Sequence, residues 1–255
     1  MPIETGLQPA EALLRRMESV YSFTEDEKEA VARLPFKAVD VGPHRDIVNE
    51  GHIAIQSCVV VAGITCWSKL TSSGKRQITS VAFSGDMPDL HGYHLKPLDS
   101  NLSTITPCRL GFVSHDALKI LFEQQPNVAS AMWRLTLIDA AVFREWVTNV
   151  GGRPAYSRIA HLFCEFFLRA SRFGLRSDGA CSMPLTQTEI GECTGLSTVH
   201  VNRNIQQLRA EKLISLEAGV LTVLDWEGLQ AAGDFDPASL HQTPPPVAAT
   251  RNRSH

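Results

Sequence analysis

The 255-residue chain has no run of eighteen apolar residues, and its opening MPIETGLQPAEALLRRM lacks the apolar stretch of a secretion signal. The expectation is a soluble, cytoplasmic protein with no membrane partner. It also lacks the usual catalytic spacings: no G-x-S-x-G elbow, P-loop, H-E-x-x-H or glycine-rich dinucleotide turn occurs. An enzyme is therefore not expected. The six cysteines (Cys58, Cys66, Cys108, Cys164, Cys181, Cys193) form no C-x-x-C pair and no metal-ligand cadence, so they read as reduced thiols without a metal. A net charge of −3 excludes the global basic signature of a non-specific nucleic-acid binder.

What is present is enough apolar residue, 44%, for two domains of ordinary size or one large one. Charge is placed unevenly. Residues 153–212 carry eight Lys and Arg against five Asp and Glu, whereas residues 1–152 carry fourteen against seventeen. The more basic part contains the most informative stretch, Leu185 to Ile214, reading LTQTEIGECTGLSTVHVNRNIQQLRAEKLI.

Thr186 followed three residues later by Glu189 is a capping box, which starts a helix. Gly195 can take positive φ where the chain reverses, and Ser197 supplies a second N-cap. In the second helix Val201, Ile205 and Leu208 share one face and should pack inward. Thr198, Val199, Asn202, Arg203 and Gln206 then point away from that core, where a recognition helix meets base edges. Arg203 can donate two parallel bonds to guanine, Asn202 can bond a base edge or a phosphate, and Val199 or Thr198 can touch a thymine methyl. Thr186, Gln187, Ser197 and His200 complete the expected DNA-contacting set. An αα-hairpin packed in some other kind of domain, with Arg203 merely solvated, is the competing reading.

Residues 36 to about 113 alternate β-rich runs with turn signals, the pattern of a β-sandwich or roll, with a hairpin turn at Ser73 and Gly74. From Asn127 to Asn149 the pattern is helical, and Val128, Leu135, Ile138, Val142 and Trp146 form one apolar stripe. Such a stripe serves a two-chain seam or a helix packed on its own domain equally well. Gly151 and Gly152 end that helix as a candidate hinge, and Ala155 to Arg172 form another amphipathic helix. Ile214 to Leu216 and Val220 to Leu224 should pair as a short hairpin turning at Ala218 and Gly219. The closing QTPPPVAATRNRSH is proline-rich and aperiodic, so residues 236–255 read as a disordered tail whose Arg251 and Arg253 are more often solvated than weak phosphate contacts.

The motif T-x-x-E-I-G-x-x-x-G-L-S-x-x-x-V-x-R, followed by L-x-x-x-x-L-I, resembles the helix-turn-helix of the Crp/Fnr family of bacterial transcription regulators. The order of pieces from about residue 30 to 235 is similar to that family as well. The resemblance implies an α+β chain: an N-terminal double-stranded β-helix, the cyclic-nucleotide-binding β-roll with leading helices (1–125), a dimerisation helix and hinge (126–152), and a winged helix-turn-helix (153–235). It implies a homodimer, with the stripe from Val128 to Trp146 as its interface, reading an inverted-repeat operator in promoter DNA with RNA polymerase as partner. Family members usually carry a glutamate where this chain has Val199, so its operator should differ from the common half-sites.

The sensing residues depart from the family pattern. Gly85 and Asp86 match the turn before the family's phosphate cassette, but the following MPDLHGYHLKPLDSN has no glycine-glutamate pair and no arginine before Arg109. A buried phosphate without a paired cation is strongly disfavoured, so cAMP is not expected in the usual mode, with Lys96 a substitute only in a rebuilt loop. No cysteine precedes Cys58, which argues against the family's iron–sulfur cluster. His91 and His94 beside Tyr93 raise haem or metal ligation, though polar-loop histidines are more often plain surface groups. Gly85, Asp86, His91, His94 and Lys96 are therefore the candidate effector pocket, for an unknown effector. Cys193, just before the turn into the recognition helix, is a candidate redox site. The alternative function is a small-molecule-binding roll that regulates a protein partner without touching DNA.

Overall fold

The computed structural model describes residues 6–171 and 179–241. Two helices lead in. In α1 (Pro9–Glu18), Pro9 sits at the first helical position, where its missing N–H costs nothing. A capping box of Thr24 and Glu27 starts α2 (Glu25–Ala32).

Seven strands then build the roll: β1 (Lys37–Val41), β2 (Asp46–Val48), β3 (Gln56–Ala62), β4 (Thr65–Leu70), β5 (Arg76–Ala82), β6 (Asn101–Thr104) and β7 (Cys108–Ser114). They form two antiparallel sheets, ordered β1-β7-β3 and β2-β6-β4-β5. The expected hairpin joins β4 to β5, with Gly74 at φ +78°. Between β5 and β6, where a phosphate cassette would lie, the chain makes a 3₁₀ turn over Leu90–Tyr93. Gly85 has φ +82°, and a Cβ there would stand 2.7 Å from the Ala12 carbonyl oxygen, so only glycine lets α1 close over this turn.

Next come α3 (His115–Gln124) and α4 (Pro126–Gly152); the 27 residues of α4 span about 40 Å. After α5 (Ala155–Ser171), the C-terminal part comprises β8 (Ala180–Ser182), α6 (Gln187–Thr194), α7 (Thr198–Ala210), β9 (Ile214–Glu217), β10 (Val220–Val223) and α8 (Trp226–Gly233). The expected wing is β9 and β10, turning at Ala218 (φ +49°) and Gly219 (φ +74°). β8 adds a third strand on the far side of β10, which no periodicity in three residues announces.

One apolar core runs from Ala12 and Leu13 on α1, through the roll and α4, to Leu208, Leu229 and Leu240. This continuity corrects two expectations. The chain does not leave the fold at residue 235: Asp236 caps a 3₁₀ turn over Pro237–Leu240, and Leu240 is buried where that turn packs on α4. Residues 242–255, with Arg251 and Arg253, lie outside the described residues. The stripe Val128, Leu135, Ile138, Val142 and Trp146 is buried against its own chain, Trp146 donating Nε1–H to Glu165 Oε2 at 2.6 Å. A period of 3.6 identifies a buried face without saying which chain buries it.

Candidate nucleic-acid interface and the cavity behind it

The local grammar of the Leu185–Ile214 stretch is realised in full. Thr186 Oγ1 accepts from the Glu189 amide and Glu189 Oε2 accepts from the Thr186 amide, closing the capping box on α6. Gly195 ends α6 in the left-handed region at φ +70°. Ser197 Oγ accepts from the His200 amide and pairs with His200 Nδ1 at 2.9 Å, which starts α7. Val201, Ile205 and Leu208 are buried, while Ser197, Thr198, Val199, His200, Asn202, Arg203 and Gln206 are exposed together. Thr186 and Gln187 are exposed at the start of α6, and Gln187 Oε1 accepts from Asn202 at 3.4 Å, tying the two helices at that surface. Val199 is 76% exposed, an apolar group with nothing of its own chain against it.

The helix pair is held from behind by the roll. Arg76 Nη1 on β5 donates to Glu192 Oε2 at 3.1 Å, Gln77 Nε2 donates to the Glu192 carbonyl, and His44 lies 3.6 Å from Glu189. The hinge glycines have open space around them, but the chain beside them is clamped: Arg153 Nη2 donates to Glu145 at 2.6 Å and to the Asp234 carbonyl at 3.0 Å. Cys193 sits on the inner face of α6, fully buried. Desolvation, with the nearby Cys66 and Glu165, pushes its thiol well above the ordinary range. A thiol so protonated and enclosed is a poor nucleophile, so Cys193 is a packing residue rather than the redox site considered from its position in sequence.

The candidate effector residues separate. Asp86 faces no free ligand: its Oδ1 accepts from Arg16 Nε at 2.8 Å and its Oδ2 from Arg169 Nη2 at 3.0 Å and the Phe83 amide at 2.9 Å. Arg169 also donates to Glu165 at 2.9 Å, and its guanidinium lies over the Phe83 ring, 4.7 Å from the centroid. These buried charges join α1, the turn after β5 and α5, and Trp146 adds α4. Apart from Asp86, no local motif marks these residues, although Glu165 and Arg169 stand four apart inside the otherwise apolar run HLFCEFFLRA, a usable signal.

His91 packs on Trp67, with ring centroids 5.2 Å apart, and lines two cavities. One, about 530 Å³, is almost wholly apolar and also holds His94, Tyr93 and Trp133. The other, about 510 Å³, lies between β4, β5 and α4. Lys96 is exposed and lines neither. Among the described residues no three His, Cys, Asp or Glu side chains converge as metal ligands.

On its outer side α4 presents a second stripe that sequence reading passed over. Trp133, Thr136, Ala140, Phe143, Val147 and Val150 alternate three and four apart, the a and d positions of a heptad. Trp133, Phe143 and Val147 are exposed large apolar groups, with Leu137 beside them.

The architecture is a two-sheet roll joined through one long helix to a winged helix-turn-helix. Residues 157–232 match the Crp-like helix-turn-helix domain. The chain is 25% identical over 161 residues to the transcriptional activator protein FnrL of Cereibacter sphaeroides, covering 62% of this chain and 64% of FnrL. It is 23% identical over 189 residues to the nitrogen fixation regulation protein FixK of Azorhizobium caulinodans, covering 74% and 75%. The fold is similar to that of FixK2 from Bradyrhizobium japonicum, with a TM-score of 0.68 at 21% identity over 78% of this chain and 98% of that one. A c-di-GMP responsive regulator, CLP of Xanthomonas campestris, gives 0.63 at 14% identity over 79% and 100%. Residues 157–232 thus carry a Crp-like helix-turn-helix, and the proteins that the chain resembles, FnrL and FixK among them, are transcription regulators rather than enzymes.

Proposed function

We propose that this protein is a homodimeric, sequence-specific regulator that binds an inverted repeat in promoter DNA and acts on RNA polymerase in the cytoplasm. The observation that carries the reading is the presented face of α7. Thr198, Val199, His200, Asn202, Arg203 and Gln206 are exposed on a helix whose opposite face is buried. Arg203 is the guanine reader and Val199 the thymine-methyl contact. The dimer forms along the outer heptad of α4, at Trp133, Thr136, Ala140, Phe143, Val147 and Val150, which a second copy would cover.

Cyclic nucleotide is not the effector in the family's usual mode. Asp86 and Arg169 are committed to each other, and among the described residues no unpaired cation lines the cavity beside them.

The test is selection of bound sequences from a random DNA pool by the purified protein at two salt concentrations. An inverted repeat with half-site centres about 34–36 Å apart is expected, retained less well at the higher salt. Absence of enrichment at both salts, with the protein folded and dimeric, would overturn the proposal.

A further inference from the structure

The cavity of about 510 Å³ is bounded by Trp67 and Lys69 on β4, Thr79 and Ser80 on β5, Asp86 and His91 in the turn region, and Asp99. Its fourth wall is α4, where Thr136, Asp139, Ala140 and Phe143 line it at i, i+3, i+4 and i+7 and so share one helix face. Arg169 of α5 reaches the same space.

The charges in this lining do not cancel. Lys69 stands 3.6 Å from Asp99, and Arg169 is divided between Asp86 and Glu165, with Arg16 on the other oxygen of Asp86. Each cation is thereby matched by a carboxylate. Asp139 is left over: exposed on α4 where that helix borders the cavity, its carboxyl makes no hydrogen bond or ion pair among the described residues. Burial pushes the His91 imidazole below its usual range, so it adds no positive charge near neutrality. An anion entering this cavity would have to part Arg169 from Asp86 or Lys69 from Asp99.

We propose that this cavity binds an organic cation, its charge placed on Asp139 and its apolar body between Trp67 and Phe143. The proposal rests on reading the roll as the sensing half of the regulator. Indole and phenyl faces attract a poorly hydrated cation through their quadrupoles, and Met87, Pro88 and Leu90 supply the apolar floor. Thr136, Ala140 and Phe143 of this wall are also outer-heptad residues, so a second copy packed there would roof the open side. Because Arg169 belongs to the helix that leads into the winged domain, an occupant touches sensor, long helix and DNA-binding segment at once.

The site has a further signature. Desolvation against the cavity wall, together with the charge of Asp86 and against the pull of Arg169 and Arg16, brings the Asp139 carboxyl up to about 7. A bound permanent cation would return it to the ionised form. Binding should then release a proton and tighten as pH rises from about 6 to 8.

The test is calorimetric titration of the full-length protein, without DNA, with benzyltrimethylammonium, benzyl alcohol and phenylacetate. Saturable binding of the ammonium probe is expected, at least about tenfold tighter than either comparator, with proton release near pH 7. Asp139→Asn should weaken it about tenfold or more and abolish its pH dependence, whereas Asp139→Glu should retain both. Absence of saturable binding, equal binding by the Asn variant, or preference for phenylacetate would overturn the proposal. Because no DNA is present, its failure leaves the DNA-binding reading to be judged separately by sequence selection.

Discussion

Arg169 on α5 donates from Nη2 to Asp86 Oδ2 at 3.0 Å, across the join between the roll and the segment leading to the winged domain. The same carboxylate takes Arg16 of α1 on its other oxygen at 2.8 Å. Two guanidinium groups and two carboxylates, Asp86 and Glu165, thus meet in a buried, neutral set. Desolvation alone would raise the Asp86 carboxyl, but Arg16 and Arg169 outweigh it and hold it below the ordinary carboxylate range.

Removing Asp86 leaves two buried guanidinium groups with the single carboxylate of Glu165, which costs far more than losing a surface pair. Asp86→Ala should destabilise the protein by about 3–5 kcal/mol in urea unfolding near neutral pH. Asp86→Asn keeps an acceptor and should cost less. A loss below about 1 kcal/mol for the Ala variant would show that the arginines find other partners.

Asp89 behaves in the opposite sense. It is fully buried and accepts from the Cys58 amide at 2.9 Å, but desolvation outweighs that bond and brings its carboxyl up to about 7. The folded state therefore binds this proton more tightly than the unfolded chain. Its contribution to stability is present at low pH and declines as pH rises from about 4 through 7. The stability of Asp89→Asn, which keeps the acceptor, relative to the wild type should rise by on the order of 2–3 kcal/mol between pH 5 and pH 8. Thermal denaturation at the two pH values measures this, and a constant difference between them would refute the assignment.

The two faces of α4 should respond to substitution in different ways. Val147→Glu, on the outer heptad, should convert a dimer to a monomer in sedimentation velocity with little loss of fold stability. Ile138→Ala, on the inner stripe, should cost about 2–5 kcal/mol of stability and leave association intact. Dissociation caused by Ile138→Ala, with Val147→Glu silent, would return the seam to the inner stripe.

Arg203→Ala should relax discrimination at one guanine per half-site by about 1–3 kcal/mol in competition binding. An equal loss on every DNA sequence would make Arg203 a phosphate contact instead.

The sequence by itself determined the features whose causes lie within a few residues. The capping box of Thr186 and Glu189, the left-handed Gly195, the Ser197 cap, the buried trio Val201, Ile205 and Leu208, and the wing turn at Ala218 and Gly219 each depend on neighbours at most seven positions away. Local sterics and hydrogen bonding suffice to specify them, and they are what made the nucleic-acid interface legible. Only the tertiary structure decided what the long helix packs against, because its inner and outer stripes are both apolar and both periodic. The same holds for Asp86. Its two arginines stand 70 and 83 residues away, and no spacing rule reaches that far. A position that matched a ligand-binding turn in sequence became an ion pair between domains once α1 and α5 closed over it, since a carboxylate taken out of water must find its counter-charges wherever the fold brings them.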